Sequence, residues 1–354
     1  MPAAQSLQVM KKGMVINMDK YKITQIVCCF IVFLVFVGLG IWFMTGRGFH
    51  IGTGIRIQNV MGPYNEAGSY DISAANIDSI DLDWIAGGIT VTPYDGTEIK
   101  LVEYAQRDLK EDEVLFYEVI GSKLRVEFYD KDTSMHLLMP PKKLEVMVPE
   151  ELAGNLKEFI VDNVSSEVSI SNLTAQSFRL DSVSGKVEIS DIQTDVMKLE
   201  STSGKILLED SGTSASTLKS ISGTVTLSNV TSTDQLSINT TSGEINLETV
   251  KTQDLSLDTI SGSVEVNGNF MDIKAESTSG AIDIQDEVTP ESFDIHSISG
   301  KVTIAMPSFE GMNLKHHSVS GKFNSDFPLL ENGDGSGNYR IETTSGSISV
   351  KKLN

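Results

Sequence analysis

The chain is 354 residues long and carries 48 acidic against 28 basic side chains, a formal net charge of −20. An excess of that sign excludes nucleic acid as a partner and excludes a basic membrane-binding face, because both depend on clustered cations. The two cysteines, Cys28 and Cys29, are adjacent within an apolar run, which excludes a disulfide framework and reads as hydrophobic filler.

Residues 1–22 read as a short cytoplasmic leader, with Lys11, Lys12, Lys20 and Lys22 against Asp19. Residues 23–46 follow without a charge. As a helix they would extend about 36 Å against a hydrocarbon core of about 30 Å, so they are read as one transmembrane helix with the lipid bilayer as its partner. The basic side precedes the helix, which puts the N-terminus in the cytoplasm and the C-terminal domain outside, as a single-pass cell-membrane protein. A cleaved signal peptide is the rival reading. The length of the run and the bulky Ile41-Trp42-Phe43-Met44 beyond Gly38 and Gly40 speak against it. Residues 47–69, polar and Gly-rich with Pro63, read as an extracytoplasmic tether.

Residues 70–151 read as an N-terminal β cap. Ile80-Asp81-Leu82-Asp83-Trp84 alternates, Gly87-Gly88 turns, and Ile89-Thr90-Val91 resumes the alternation. Glu98–Tyr104, Val114–Val119 and Leu124–Phe128 continue it, with a hairpin at Gly121-Ser122, and Leu144–Val148 leads onward. Stacked coils expose an open end that such a cap would cover.

Residues 152–354 are organised by a recurring Ser/Thr-x-Ser-Gly unit, with glycines at Gly185, Gly204, Gly223, Gly243, Gly262, Gly280, Gly300, Gly321 and Gly346. The spacings of 19, 19, 20, 19, 18, 20, 21 and 25 residues are those of a repeat architecture. Ser165-Ser166 reads as a decayed first copy. Apolar alternation on both sides of each unit predicts strands, so the fold class is all-β, a parallel β-solenoid. Glycine at each corner suggests a positive φ. The first hydroxyl of each unit (Ser182, Ser201, Ser220, Thr240, Thr259, Ser277, Ser297, Ser318, Thr343) would point inward, forming a ladder whose members satisfy one another. The residue after it runs Val183, Thr202, Ile221, Thr241, Ile260, Thr278, Ile298, Val319, Thr344, alternating aliphatic and Thr with one slip after Ile298. If like stacks on like, two repeats make one coil of about 38 residues. The slip falls where the spacing lengthens and Pro307 interrupts. Lys351-Lys352 would close the last strand with charges that discourage edge pairing.

The Asp83-Trp84-x-x-Gly-Gly-Ile-Thr-Val opening and the train of repeats resemble the adhesin-like repeat domain of unknown function found in bacterial envelope proteins, over about residues 70–352. The architecture is similar to that of the membrane-anchored family member in the Lia cell-envelope stress operon. The resemblance implies an extracytoplasmic β-solenoid and supplies no catalytic motif.

The acidic residues, among them Glu188, Glu200, Glu209, Asp258 and Asp283, are spread along the repeats as a solvated face rather than gathered as an acid–base pair, so no catalytic residue is assigned. No metal or cofactor is assigned either. His316-His317 would send its rings to opposite faces, and the pairs Glu209-Asp210 and Asp286-Glu287 read as surface charge rather than a Ca²⁺ site. The expected function is a non-catalytic binding or structural module of the envelope, with cell-wall polymer as its partner. The alternative is a regulatory or sensory accessory of an envelope-stress signalling system, partnered by a membrane signalling protein. A carbohydrate-active β-helix enzyme is the third reading.

Overall fold

The computed structural model describes residues 63–130, 139–308, 312–329 and 338–353. The leader, the apolar run and the tether up to residue 62 lie outside the described residues. Among the described residues no helix is long and apolar enough to cross a membrane.

Among the described residues, twenty-one strands form a single sheet system and one helical turn lies beside it. The N-terminal part comprises β1 (Asn65–Ser73), β2 (Ser79–Tyr94), β3 (Glu98–Ala105), β4 (Phe116–Ile120), β5 (Lys123–Glu127), β6 (Lys142–Pro149) and α1 (Glu150–Ala153). The repeats begin with β7 (Leu156–Ser182), β8 (Val187–Ser201), β9 (Ile206–Glu209), β10 (Gly212–Ser220), β11 (Val225–Ser228), β12 (Thr231–Thr240) and β13 (Ile245–Thr259). They end with β14 (Val264–Ser277), β15 (Ile282–Asp286), β16 (Ser292–Ser297), β17 (Val302–Met306), β18 (Leu314–Ser318), β19 (Phe323–Ser325), β20 (Tyr339–Thr343) and β21 (Ile348–Lys352).

The repeats stack in parallel. Ser182 lies opposite Ser201, Ser201 opposite Ser220, and Thr240 opposite Thr259. One repeat is therefore one coil, which corrects the expected two-repeat coil. The alternating position that suggested pairing is exposed, with Ile221, Ile260 and Ile298 at 52%, 54% and 55%, so no core packing requires like to stack on like. What the core does require is period-two alternation, and Phe178, Leu180, Val187 and Ile189 are all at most 1% exposed while Arg179 and Lys186 face solvent.

The glycines form a column, and the physical reason differs from the expected one. Of the nine, only Gly185 has a left-handed φ, +106°. What the others share is close approach: a Cβ on Gly204 would sit 1.8 Å from the carbonyl oxygen of Gly185, and one on Gly223 would sit 1.9 Å from that of Gly204. The hydroxyl ladder also differs. Ser201, Ser220 and Thr240 donate to the carbonyls of their own corner glycines, Gly204, Gly223 and Gly243, at 3.0, 2.8 and 2.9 Å. Among the described ladder hydroxyls, Thr240 and Thr259 bond to each other, at 3.0 Å. Most of these hydroxyls thus close their own turns rather than a chain of neighbours, whereas Ser318 donates to Gly346 O of the adjoining rung at 3.1 Å.

Spatial order departs from chain order at both ends. The rung formed by β20 and β21 lies between β16–β17 and β18–β19, so the last repeat sits inside the penultimate one. Phe293 on β16 accordingly packs on Tyr339 of β20 at 4.8 Å. Lys351 and Lys352 therefore do not close an edge; β21 is internal to the stack, and β18–β19 forms the terminal rung. At the other end, β2 already pairs in parallel with β7 on one side and with β5 and β6 on the other. The segment 70–151 thus contains solenoid rungs as well as the antiparallel strands β1, β3 and β4 that cover them.

Two outcomes follow from this architecture. Gly223→Ala, which sets a methyl against backbone, should cost about 3 kcal/mol, whereas Gly121→Ala, with φ +66° and nothing within 4 Å, should cost about 1 kcal/mol. Equal costs by denaturant titration would refute close approach as the cause. A chain ending at residue 337 removes the partners of β18 and β19, so limited proteolysis should cut after β17 and spare the earlier rungs. Protection of 314–325 in that variant would show that β18–β19 can dock elsewhere.

Candidate binding surface

Each coil has three sides. In one coil these are Val187–Ser190, Ile192–Thr194 and Val196–Ser201, and every second residue points out. The first corner is left-handed: Asn172, Asp191, Asp210, Asn229 and Thr249 have φ of 57°, 55°, 48°, 52° and 55°. Asn and Asp tolerate that region best among residues with a side chain. They stand six residues beyond each corner glycine or its Ser166 equivalent, a signal that was present in the sequence and unread. The second corner is held by a second buried hydroxyl column. Thr213 donates to Ala215 O at 2.9 Å, and Ser232 donates to Gln235 O at 2.7 Å.

The third corner is the Ser/Thr-x-Ser-Gly unit. At its apex stand Val164, Ile221, Ile260, Ile298 and Val319, 45%, 52%, 54%, 55% and 70% exposed. Beside them the exposed serines turn back: Ser203 donates to Val183 O at 3.1 Å and Ser279 to Ile260 O at 3.3 Å. In spatial order Thr344 lies between Ile298 and Val319, because Thr344 N donates to Ser297 O and Ser320 N to Thr344 O. The slip in the alternation disappears once the rungs are read as they stack.

The outward columns place charges one rung apart. Asp83, Asp162 and Asp181 follow each other on adjacent rungs, and burial together with the Asp181 charge raises the Asp162 carboxyl to about 6. Arg179, Lys198 and Lys274 pair with Asp181, Glu200 and Glu276 on the same strands. Among the described residues no group of three His, Cys, Asp or Glu is placed to hold a metal. Of the acidic pairs, Asp210 accepts from Asn229 Nδ2 at 2.6 Å at the left-handed corner, whereas Asp286 is buried and Glu287 exposed. His316 stacks on Phe323 at 3.6 Å in the terminal rung, and burial together with His317 lowers its pKa.

Three buried ionisable side chains, in two places, carried no sequence signal. Lys142 and Glu103, both fully buried, meet at 2.6 Å. Lys142 Nζ also donates to Glu113 O at 2.6 Å and to Phe128 O, and lies 4.2 Å from the Phe128 ring centroid. Burial pulls the Lys142 pKa down and the Glu103 carboxylate opposes that. Glu103 in turn accepts from Leu115 N at 3.0 Å, and Arg107 holds the Glu113 carboxyl down at about 2. This set of contacts fastens the segment between β3 and β4 over the first rungs. Asp286 is the second case. Its Oδ1 accepts from Phe270 N and Val288 N at 3.2 and 3.1 Å, its Oδ2 has no partner, and burial raises its pKa to about 7.

Open sides, an exposed apex and columns of solvent-facing polar residues define a repetitive solenoid module whose sides carry open depressions, one lined by Gln235, Asp254 and Asp272. The Toastrack DUF4097 family model matches residues 77–235 and 216–351, and the chain belongs to that family. A comparison with curated proteins finds no match. Among solved structures, the chain is similar to a "putative adhesin" from Parabacteroides distasonis ATCC 8503, with TM-score 0.48, 10% identity, and 82% of this chain and 98% of that chain covered. It is also similar to a "putative lipid binding protein" from the same organism, with TM-score 0.46, 14% identity and 83% and 98% covered. A "putative adhesin" from Bacteroides fragilis NCTC 9343 has TM-score 0.35, 14% identity and 82% and 97% covered. At these scores the family match carries the assignment.

A carboxyl whose folded pKa is raised adds stability below its unfolded pKa of about 4, and that stability is lost as the pH climbs through the folded value, about 7 for Asp286. Asp286→Asn should therefore lose less stability than the parent chain between about pH 5 and 8, by on the order of 2–4 kcal/mol. Identical pH dependence of the two melting temperatures would refute an Asp286 protonated at the lower pH.

Proposed function

We propose that the chain is a membrane-anchored, extracytoplasmic, adhesin-like β-solenoid that acts as a non-catalytic binding or structural module of the bacterial cell envelope. The observation that carries this reading is the repetition of the outward columns. A surface renewed every rung, at roughly 4.8 Å, suits an extended or repeating partner such as cell-wall polymer better than a single small substrate. The uncharged run 23–46 and its basic leader support the anchor. The resemblance to the Lia operon member supports the second reading, a regulatory accessory of envelope-stress signalling that works through its helix.

One experiment places the domain and two separate the readings. A cysteine at Thr233, exposed on the repeats, should react with a membrane-impermeant label in intact cells; labelling only after lysis would overturn the topology. The full chain should retain purified wall polymer in a pull-down, with Ca²⁺ present or chelated, and retention of none would remove the adhesive reading. Replacing residues 23–46 by an unrelated span should leave adhesion intact, and loss of an envelope-stress response on that exchange would favour the regulatory reading instead.

A further inference from the structure

Scattered exposed aliphatic residues need no explanation, but aligned ones do. From Val183 to Val319 the apex of the third corner alternates aliphatic and Thr in strict spatial order, with Thr202, Thr241, Thr278 and Thr344 between the aliphatics. At roughly 4.8 Å per rung, the aliphatic side chains recur about every 10 Å along the edge. The neighbouring serine hydroxyls are already engaged by the rung before them: Ser203 with Val183 O at 3.1 Å, Ser261 with Thr241 O at 3.3 Å and Ser299 with Thr278 O at 3.2 Å. The edge is therefore more apolar than its composition implies.

We infer that two copies of this chain pair side by side and parallel along this ridge. The flanks give the partner and its direction. On the side before the inward hydroxyl, the residues next to the ridge include Asp181, Glu200, Asp258, Glu276 and Glu342, with Lys219 among them. On the side after the glycine stand Lys186, Lys205, Lys301 and Lys322, with Glu244 among them. A two-fold axis parallel to the stack sets Asp181 of one copy against Lys186 of the other and Glu200 against Lys205, while Asp258, Glu276 and Glu342 meet the neutral Ser263, Ala281 and Ser347. An antiparallel pair sets acid against acid. Arg179 and Lys198, one step further from the ridge, already balance Asp181 and Glu200, so the flanks set orientation more than affinity.

The ridge runs over eleven rungs from Ile85 to Val319, about 48 Å at rung spacing. A contact strip about 12 Å wide would bury about 600 Å² per copy, at the lower limit for a specific interface. The pairing is accordingly weak, in the micromolar range, and isologous, each apex residue meeting its own counterpart.

The test uses the full chain with Cys28→Ser and Cys29→Ser, carrying a single cysteine at Ile221→Cys, Ile260→Cys or Ile298→Cys, with Glu248→Cys on an exposed side as control. Oxidation should yield disulfide dimers at all three ridge positions and only background at the control. Adding Ile221→Glu, Ile260→Glu and Ile298→Glu together to the cysteine-free chain should convert a concentration-dependent dimer to monomer in sedimentation, with unchanged circular dichroism. Cross-linking at only one of the three ridge positions would show an antiparallel pair and overturn the inferred direction. No cross-link at any of them, with a monomer throughout, would overturn the pairing and leave the ridge to another partner. None of these outcomes bears on the anchoring reading, which the impermeant label decides.

Discussion

At the third corner, successive rungs come so close that a carbonyl oxygen of one occupies the place where the next would carry its Cβ. The methyl of an alanine there would overlap backbone, which shifts only at a cost to the ladder on both sides, so the position strongly favours glycine. Ser166 interrupts the column without contradicting this: Gly185 lies over it with a left-handed φ, and Asn163 rather than a hydroxyl closes that corner, its amide bonding Ser166 O and Ser182 Oγ at 2.9 and 3.0 Å. Register follows from the column. With a side-chain period of two, a slip of one residue would turn every Val, Ile and Leu outward, so fixing one corner per rung fixes the core of the whole stack.

A stack fixed in this way still has two ends, and both are handled by placing chain out of order. At the N-terminal end the rung of β5 and β6 is laid on the far side of β2, and the antiparallel strands cover it. The Lys142–Glu103 pair lies beneath that cover with Trp84 and Phe128 around it. Removing one member of a buried pair strands the other charge in a low-dielectric site, at a cost of about 3–5 kcal/mol, so the cover is held chemically as well as by area. At the C-terminal end the chain overshoots by one rung and returns. The β20–β21 rung is therefore paired on both edges, and the exposed edge falls on the short strands β18 and β19, where little ladder is open to a stray strand.

Much of this was legible in the sequence because the repeat unit combines two independent signals, a period near 19 residues and alternation within it. The inward hydroxyls and the parallel stack follow from those alone. What was not legible has particular causes. The coil length was misjudged from Val183, Thr202 and Ile221, since alternation along a column was taken as core packing although the column faces solvent. The inserted rung left one trace, the slip at Val319, which reads as irregularity until Thr344 is known to lie beneath it. Lys142 gave no trace, because a lysine between Pro141 and Lys143 looks like surface; its burial is decided by Trp84 on β2, Glu103 on β3 and Phe128 just after β5.

The corrected order at Val319 also bears on why the apex alternates. Duplication of a two-repeat unit would leave alternation in chain order, and chain order is where it fails, with Ile298 followed by Val319. It holds in spatial order, across a rung that arrives from the chain's end. A pattern that follows space where sequence and space disagree belongs to the folded surface. Ile221, Ile260, Ile298 and Val319 stand 52–70% exposed, so the buried core of the coil does not set the alternation.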